Sequence, residues 1–90
     1  MEKSPFSKEY RLFLCHLRDA RVEAGLTQQR LAQRLGETQS FISKVERGER
    51  RLDVVELRAF CKALDLSFPK FITDFHHTIS ASETRQCKKR

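Results

Sequence analysis

Four hydrogen-bonding side chains occupy one helical face in the middle of this chain. They lie at positions i, i+1, i+4 and i+5, and they are Gln39, Ser40, Ser43 and Lys44. A helix with such a face fits the major groove of DNA, where base edges present donors and acceptors. Gln39 can pair with adenine N6 and N7, and Lys44 can pair with guanine O6 and N7. A solvated outer face has the same pattern, so both interpretations stay open at this point.

Three cations follow this polar face. Arg47 comes directly after it, and Arg50 and Arg51 lie just beyond Gly48. Their simplest function is contact with phosphates, which sets the docking register rather than the choice of sequence. The formal net charge of +6 at pH 7 also favours a polyanionic partner, nucleic acid before an acidic membrane. A merely soluble basic protein could have the same charge.

Two short helices joined by a turn must position these side chains. Apolar residues recur at helical spacing on both sides of Gly36, and they are Leu31, Ala32, Leu35, Ile42 and Val45. Gly36 can adopt the positive φ that ends a helix. Thr27 and Thr38 are suitable N-caps for the two helices. The segment 28–47 therefore predicts a helix-turn-helix.

The same residues carry a resemblance to a known family. The run from Gly25 to Gly36 reads G-L-T-Q-x-x-L-A-x-x-L-G, and the run from Ile42 to Gly48 reads I-S-x-x-E-x-G. Over residues 13–71 the chain resembles the Cro/C1-type (XRE-type) helix-turn-helix regulators. The resemblance implies an all-α, compact five-helix lambda-repressor-like DNA-binding domain, with the helix-turn-helix at helices 2 and 3. It also implies a sequence-specific transcriptional regulator of double-stranded DNA, of small repressor or controller type, with helix 3 in the major groove.

The resemblance extends to individual residues. Gln39, Ser40 and Lys44 match base-reading positions of the family, and Ser43 is a candidate for a base or backbone contact. Gln28 matches a residue whose side chain donates to the DNA backbone, and its place at a helix N-terminus also suits a phosphate. Arg21 matches an arginine that pairs with the glutamate at Glu46. We therefore predict an ion pair that ties helix 1 to the end of helix 3. If the two residues are instead solvated surface charges, they contribute under about 1 kcal/mol to stability.

The remaining segments give further expectations. Residues 1–7 are expected to form a flexible arm, residues 8–79 the domain, and residues 80–90 a basic, disordered tail. Asp53 and Glu56 predict a capping box at the start of helix 4. Five apolar residues predict the inward stripe of that helix: Val54, Leu57, Phe60, Cys61 and Leu64. After Asp65, which replaces the usual Gly, Leu66 is expected to return to the core.

An aromatic face near the end of the chain predicts a homodimer contact. Its members are spaced 0, 3, 4 and 7, and they are Phe68, Phe71, Ile72 and Phe75. The aromatic area of this face is larger than a five-helix domain needs for its core, so part of the face is expected to be exposed. The alternative is that the domain's own core covers all of it. A homodimer would bind a palindromic operator.

Other function classes have little support. No phosphate-binding glycine loop, paired carboxylates or Cys/His arrangement indicates an enzyme, so we expect no catalytic residues, cofactor or small-molecule ligand. The adjacent His76 and His77 have no partners at metal-ligand spacing, so no metal site is expected. No apolar run is long enough for a membrane span, and no apolar signal region opens the chain, so a cytoplasmic protein is expected.

The alternative function is a protein-interaction module or antitoxin-like component built on the same fold. Such a module would hold a protein partner through Phe41 or the helix 5 aromatics. Phe41 could equally contact a thymine methyl group or pack on helix 2 or helix 4, and the sequence leaves these possibilities open.

Overall fold

The computed structural model describes residues 7–81, which form five α-helices and no strands. These are α1 (Lys8–Glu23), α2 (Gln28–Leu35), α3 (Gln39–Glu46), α4 (Val54–Ala63) and α5 (Phe68–Ala81). The predicted all-α, five-helix architecture is confirmed, with α2 and α3 as the helix-turn-helix. Most of the predicted N-terminal arm and basic tail lies outside the described residues.

Side-chain caps begin the first four helices. The hydroxyls of Ser7, Thr27 and Thr38 each accept a hydrogen bond from the backbone N–H three residues later. Asp53 and Glu56 form the predicted capping box at the start of α4. Each cap satisfies a free helix donor and contributes about 1 kcal/mol. Ser7, which the sequence assigned to the N-terminal arm, therefore caps α1 in the structure.

Residues with a positive φ follow α2 and α4, and a long-range hydrogen bond joins these two helices. Gly36 has φ of 70° at the end of α2, as the sequence predicted, and Asp65 has φ of 60° after α4. Arg34 Nη1 donates to the carbonyl of Ala63 at 2.7 Å, which joins α2 to the last turn of α4. Helix α5 continues to Ala81, two residues beyond the predicted domain end at residue 79, and its only proline, Pro69, lies in the first turn.

A single apolar core lies between the five helices. Its buried members come from all five helices or their C-terminal ends: Phe13, Leu14, Leu17, Leu31, Ala32, Ile42, Val45, Leu57, Phe60, Cys61, Leu64 and Phe71. Helices α2 and α3 pack against each other, α1 packs on α3 and α5, and α4 packs on α2 and α5. This packing fixes which side of α3 faces outward.

The structure exposes two residues that were predicted to be in the core, Val54 and Leu66. Val54 is 64% exposed and its neighbour Val55 is 73% exposed, because Leu57 is the first residue of α4 to reach the core. Leu66 follows the left-handed turn at Asp65 and is 40% exposed instead of returning to the core. These residues leave apolar surface at both ends of α4.

The aromatic face of α5 is largely part of the protein's own core. Phe71 is only 4% exposed and lies edge-on to Phe13 with ring centroids 6.5 Å apart. Phe75 also packs on Phe13, at 5.6 Å, and Phe68 is partly buried against the same cluster. Because α1 already covers Phe71, this residue has little surface left for the predicted dimer contact. Ile72 is the member of this face that is 40% exposed.

Candidate nucleic-acid interface

Helix α3 presents a polar face to solvent. Gln39, Ser40 and Lys44 are exposed, and Ser43 is half-buried beside them. Their orientation follows from the opposite side of the helix, where Ile42 and Val45 are completely buried. The structure thus brings together the four side chains that the sequence assigned to base reading.

A buried ion pair holds the C-terminal end of α3 against α1. Arg21 Nε donates to Glu46 Oε2 at 2.7 Å, and Arg21 Nη2 donates to Glu46 Oε1 at 3.1 Å. The two side chains are only 10% and 5% exposed. Arg21 Nη1 also donates to the carbonyl of Leu26 at 2.8 Å, so this buried guanidinium bonds through all three of its nitrogens.

Glu46 also orients two glutamines at the start of α2 and α3. Gln28 Nε2 donates to Glu46 Oε1 at 3.0 Å, and Gln28 Oε1 accepts from Gln39 Nε2 at 3.2 Å. Because an ionised carboxylate only accepts hydrogen bonds, it determines which end of the Gln28 amide faces it and therefore which end faces Gln39. These bonds leave the amide oxygen and one amide hydrogen of Gln39 unused. They also leave one amide hydrogen of Gln28 unused.

Arg50 is held by three groups of the protein. It donates to both Glu56 oxygens at 3.0 and 2.6 Å and also bonds to the carbonyl of Arg51. Its guanidinium lies 5.1 Å from the centre of the Phe41 ring, which packs on Phe60 of α4 at 6.3 Å. Phe41 therefore joins α3 to α4 beneath Arg50. A phosphate contact by Arg50 would have to compete with these interactions.

The other two cations of the cluster also have intramolecular contacts. Arg47 bonds to Glu49 and to Ser43, and the Arg51 guanidinium lies 4.1 Å from the centre of the Tyr10 ring. The sequence pattern did not indicate Glu49 as the partner of Arg47 or Glu56 as the partner of Arg50. Neither pair has helical i, i+4 spacing, so only the fold of the α3–α4 loop brings its members together.

The Arg50–Glu56 pair has an electrostatic signature. The pKa of Glu56 falls to about 2, first because Arg50 donates to its carboxylate and second because the Asp53 backbone N–H does so. The Glu56 carboxylate therefore stays ionised at pH values well below the ordinary pKa of a glutamate.

The described part of the chain has no site for a metal and no membrane span. Within residues 7–81, no three His, Cys, Asp or Glu side chains are grouped so that they could hold a metal ion. No helix in that range is both long and apolar enough to cross a bilayer.

Comparison with known proteins identifies the family. A helix-turn-helix family model matches residues 17–71, which include all of α2, α3 and α4. The chain belongs to the Cro/C1-type helix-turn-helix family. This member of the family is a DNA-binding transcription regulator and not an enzyme.

Solved structures of family members are similar to this chain. An XRE-family like protein from Pseudomonas syringae pv. tomato str. DC3000 is 41% identical, with a TM-score of 0.72, over 78% of this chain and 88% of that chain. A point mutant of the restriction-modification controller protein C.Esp1396I is 30% identical, with a TM-score of 0.72, over 91% and 99% of the two chains. The controller protein C.AhdI from Aeromonas hydrophila is 31% identical, with a TM-score of 0.62, over 72% and 97%. No match was found among curated proteins.

Replacing Arg21 by Ala should strongly destabilise this Cro/C1-type domain. The change leaves the Glu46 carboxylate buried without its cation, which costs about 3–5 kcal/mol. We expect thermal unfolding, followed by circular dichroism, to shift down by more than roughly 10 °C. Arg18→Ala removes an exposed arginine from the same helix and should change stability by less than about 0.5 kcal/mol. Similar shifts for the two variants would contradict a structural role for the pair.

Glu56→Gln should reveal a pH-dependent contribution to stability. The pKa of Glu56 is lowered on folding from 4.5 to about 2, so its contribution is complete above pH 4.5 and is lost as the pH falls towards 2. The difference in unfolding free energy between wild type and Glu56→Gln should therefore shrink over this window. Urea unfolding at a series of pH values measures it, and a constant difference would disprove the linkage.

Proposed function

We propose that this protein is a cytoplasmic, sequence-specific regulator that binds a palindromic operator as a homodimer, with α3 in the major groove. The observation that carries the proposal is the polar face of α3, whose first residue, Gln39, is oriented by Gln28 and the buried Arg21–Glu46 pair. A glutamine held in one amide orientation is ready to pair with adenine without first losing rotational freedom.

The proposed complex divides the contacts into two groups. Gln28 and the cations Arg47, Arg50 and Arg51 would contact phosphates and set the position of α3. Gln39, Ser40, Ser43 and Lys44 would contact base edges, and each good bidentate pair contributes about 1–3 kcal/mol of discrimination.

The similarity to controller proteins supports a narrower class. C.Esp1396I and C.AhdI, which this chain matches over most of their lengths, are restriction-modification controller proteins. We therefore place this regulator among the small repressors or controllers. The polar character of α3 and the packing of Phe41 on Phe60 favour DNA over a protein as the ligand of this face.

Two exposed apolar surfaces are candidates for the homodimer contact. Val54 and Val55 form one at the start of α4, and Ile72 with the exposed edges of Phe68 and Phe75 forms the other on α5. A two-fold interface would set the two α3 helices about 34 Å apart, one turn of DNA, so that both enter the same face of the duplex.

Selection of bound sites from random duplex DNA tests the proposed function. We expect an enriched palindrome with half-sites about 10 base pairs apart, and binding that weakens steeply with salt. Lys44→Ala should change the base preference at one position of each half-site. Lys62→Ala removes an exposed lysine of α4 and should leave the preference unchanged. Absence of any enriched sequence would refute sequence-specific binding.

Sedimentation equilibrium tests the homodimer. We expect the wild type to be a dimer at high micromolar concentration. One of the variants Val55→Glu and Ile72→Glu, the one whose surface forms the interface, should be a monomer, because a buried unpaired carboxylate opposes association. Thr73→Glu places the same charge beside Ile72 on an exposed position and serves as the matched control. A monomeric wild type would disprove the dimer while leaving DNA binding by the monomer intact.

A further inference from the structure

Arg47 lies in line with the base-reading side chains of α3. Gln39, Ser43 and Arg47 are separated by four residues each and form one row along the helix. Arg47 Nη1 donates to the hydroxyl of Ser43, so the side chain extends back towards the N-terminus of α3. Its guanidinium thus lies about one turn, roughly 5 Å, nearer than the Arg47 backbone to the N-terminal end of α3. This is the end of the helix that contacts bases in helix-turn-helix complexes.

Glu49 fixes the orientation of this guanidinium. Arg47 Nε donates to Glu49 Oε2 at 3.0 Å, and Nη2 donates to Oε1 at 3.2 Å. Two parallel bonds of this kind define the plane of the guanidinium as well as its position. The Arg47 hydrogen bond lowers the pKa of Glu49, so both partners are charged at neutral pH.

The donors that remain on Arg47 suit a guanine. An arginine has five N–H donors, and three of those of Arg47 are used by Glu49 and Ser43. The two that remain within the described structure are on different terminal nitrogens, Nη1 and Nη2. A pair of donors on two adjacent nitrogens is what guanine O6 and N7 accept in the major groove.

The charge of Glu49 favours a base over a phosphate as the partner. A phosphate beside Arg47 would also lie near the Glu49 carboxylate, which repels it at short distance. The edge of guanine carries no net charge, so the same carboxylate imposes a much smaller penalty. A neutralised, oriented arginine therefore contributes more to the choice of sequence than to general attraction for DNA.

We propose that Arg47 reads a guanine in each half-site and that Glu49 is the positioning residue that presents it. This inference rests on the proposed placement of α3 in the major groove, and it reassigns Arg47 from phosphate contact to base reading.

The test compares wild type, Arg47→Ala and Arg58→Ala on the selected site and on sites with each base pair replaced. We expect Arg47→Ala to lose a guanine preference at one position per half-site and to weaken cognate binding about tenfold to a hundredfold. Non-specific affinity and the salt dependence should stay unchanged. Arg58→Ala, which removes an exposed arginine of α4, should have no effect on the preference. The contrary result would be equally weaker binding to all sites, with a salt slope smaller by about 0.9 for each phosphate that is no longer neutralised. That result would identify a phosphate as the partner of Arg47 and overturn the proposal.

Glu49→Gln tests the positioning role separately. This variant keeps Arg47 but releases it, so we expect a several-fold weaker guanine preference at the same position and stronger, more salt-sensitive non-specific binding. In the double variant with Arg47→Ala, the change at Glu49 should have no further effect on that preference. An intact guanine preference in Glu49→Gln would overturn the role of Glu49.

The outcomes separate this inference from the function on which it rests. If wild type enriches no sequence, then sequence-specific reading by α3 fails, and this inference fails with it. If wild type selects a site and Arg47→Ala weakens all sites equally, only the assignment of Arg47 and Glu49 fails. Unchanged helicity by circular dichroism establishes that each variant is folded.

Discussion

The buried Arg21–Glu46 ion pair is the interaction that determines the geometry of the proposed DNA-binding surface. Removing either charge from water is costly unless the other is present with its hydrogen bonds satisfied, so α1 and the end of α3 must meet in one geometry. Glu46 then has an oxygen available for Gln28, and Gln28 has one for Gln39. The interaction that stabilises the fold therefore also determines the amide orientation of an exposed side chain on α3.

The basic surface beside α3 consists of arginines that already have partners. Arg50 joins Glu56 of α4 to the Phe41 ring of α3, and Arg47 joins Glu49 to Ser43. The net charge of +6 belongs to the whole chain and does not measure how many cations near α3 lack an intramolecular partner. Exposed ion pairs contribute little to the free energy of unfolding, so the main effect of these pairs is on the position of each guanidinium.

The small size of the domain explains how its apolar residues are used. Five short helices have few side chains with which to build a core, so α5 supplies aromatic rings that α1 covers. Among the described residues, apolar side chains stay exposed at the first turn of α4, with Val54 and Val55, and on α5, with Ile72, while Val22 and Leu66 are exposed singly. Apolar surface of this kind is unusual on a monomer only where it is contiguous, which makes these two places the natural sites for association.

Features that depend on a few neighbouring residues could be predicted from the sequence. The caps at Thr27 and Thr38, the left-handed turn at Gly36 and the apolar face that orients α3 are local, and the steric and hydrogen-bonding preferences of single residues define them. The burial of Phe71 and the exposure of Val54 follow from the packing of the helices, because helical spacing indicates an apolar face but not whether another helix covers it. The tertiary structure also decided that Arg47 pairs with Glu49 and Arg50 with Glu56, since the path of a loop, and no periodic pattern, brings those charges together.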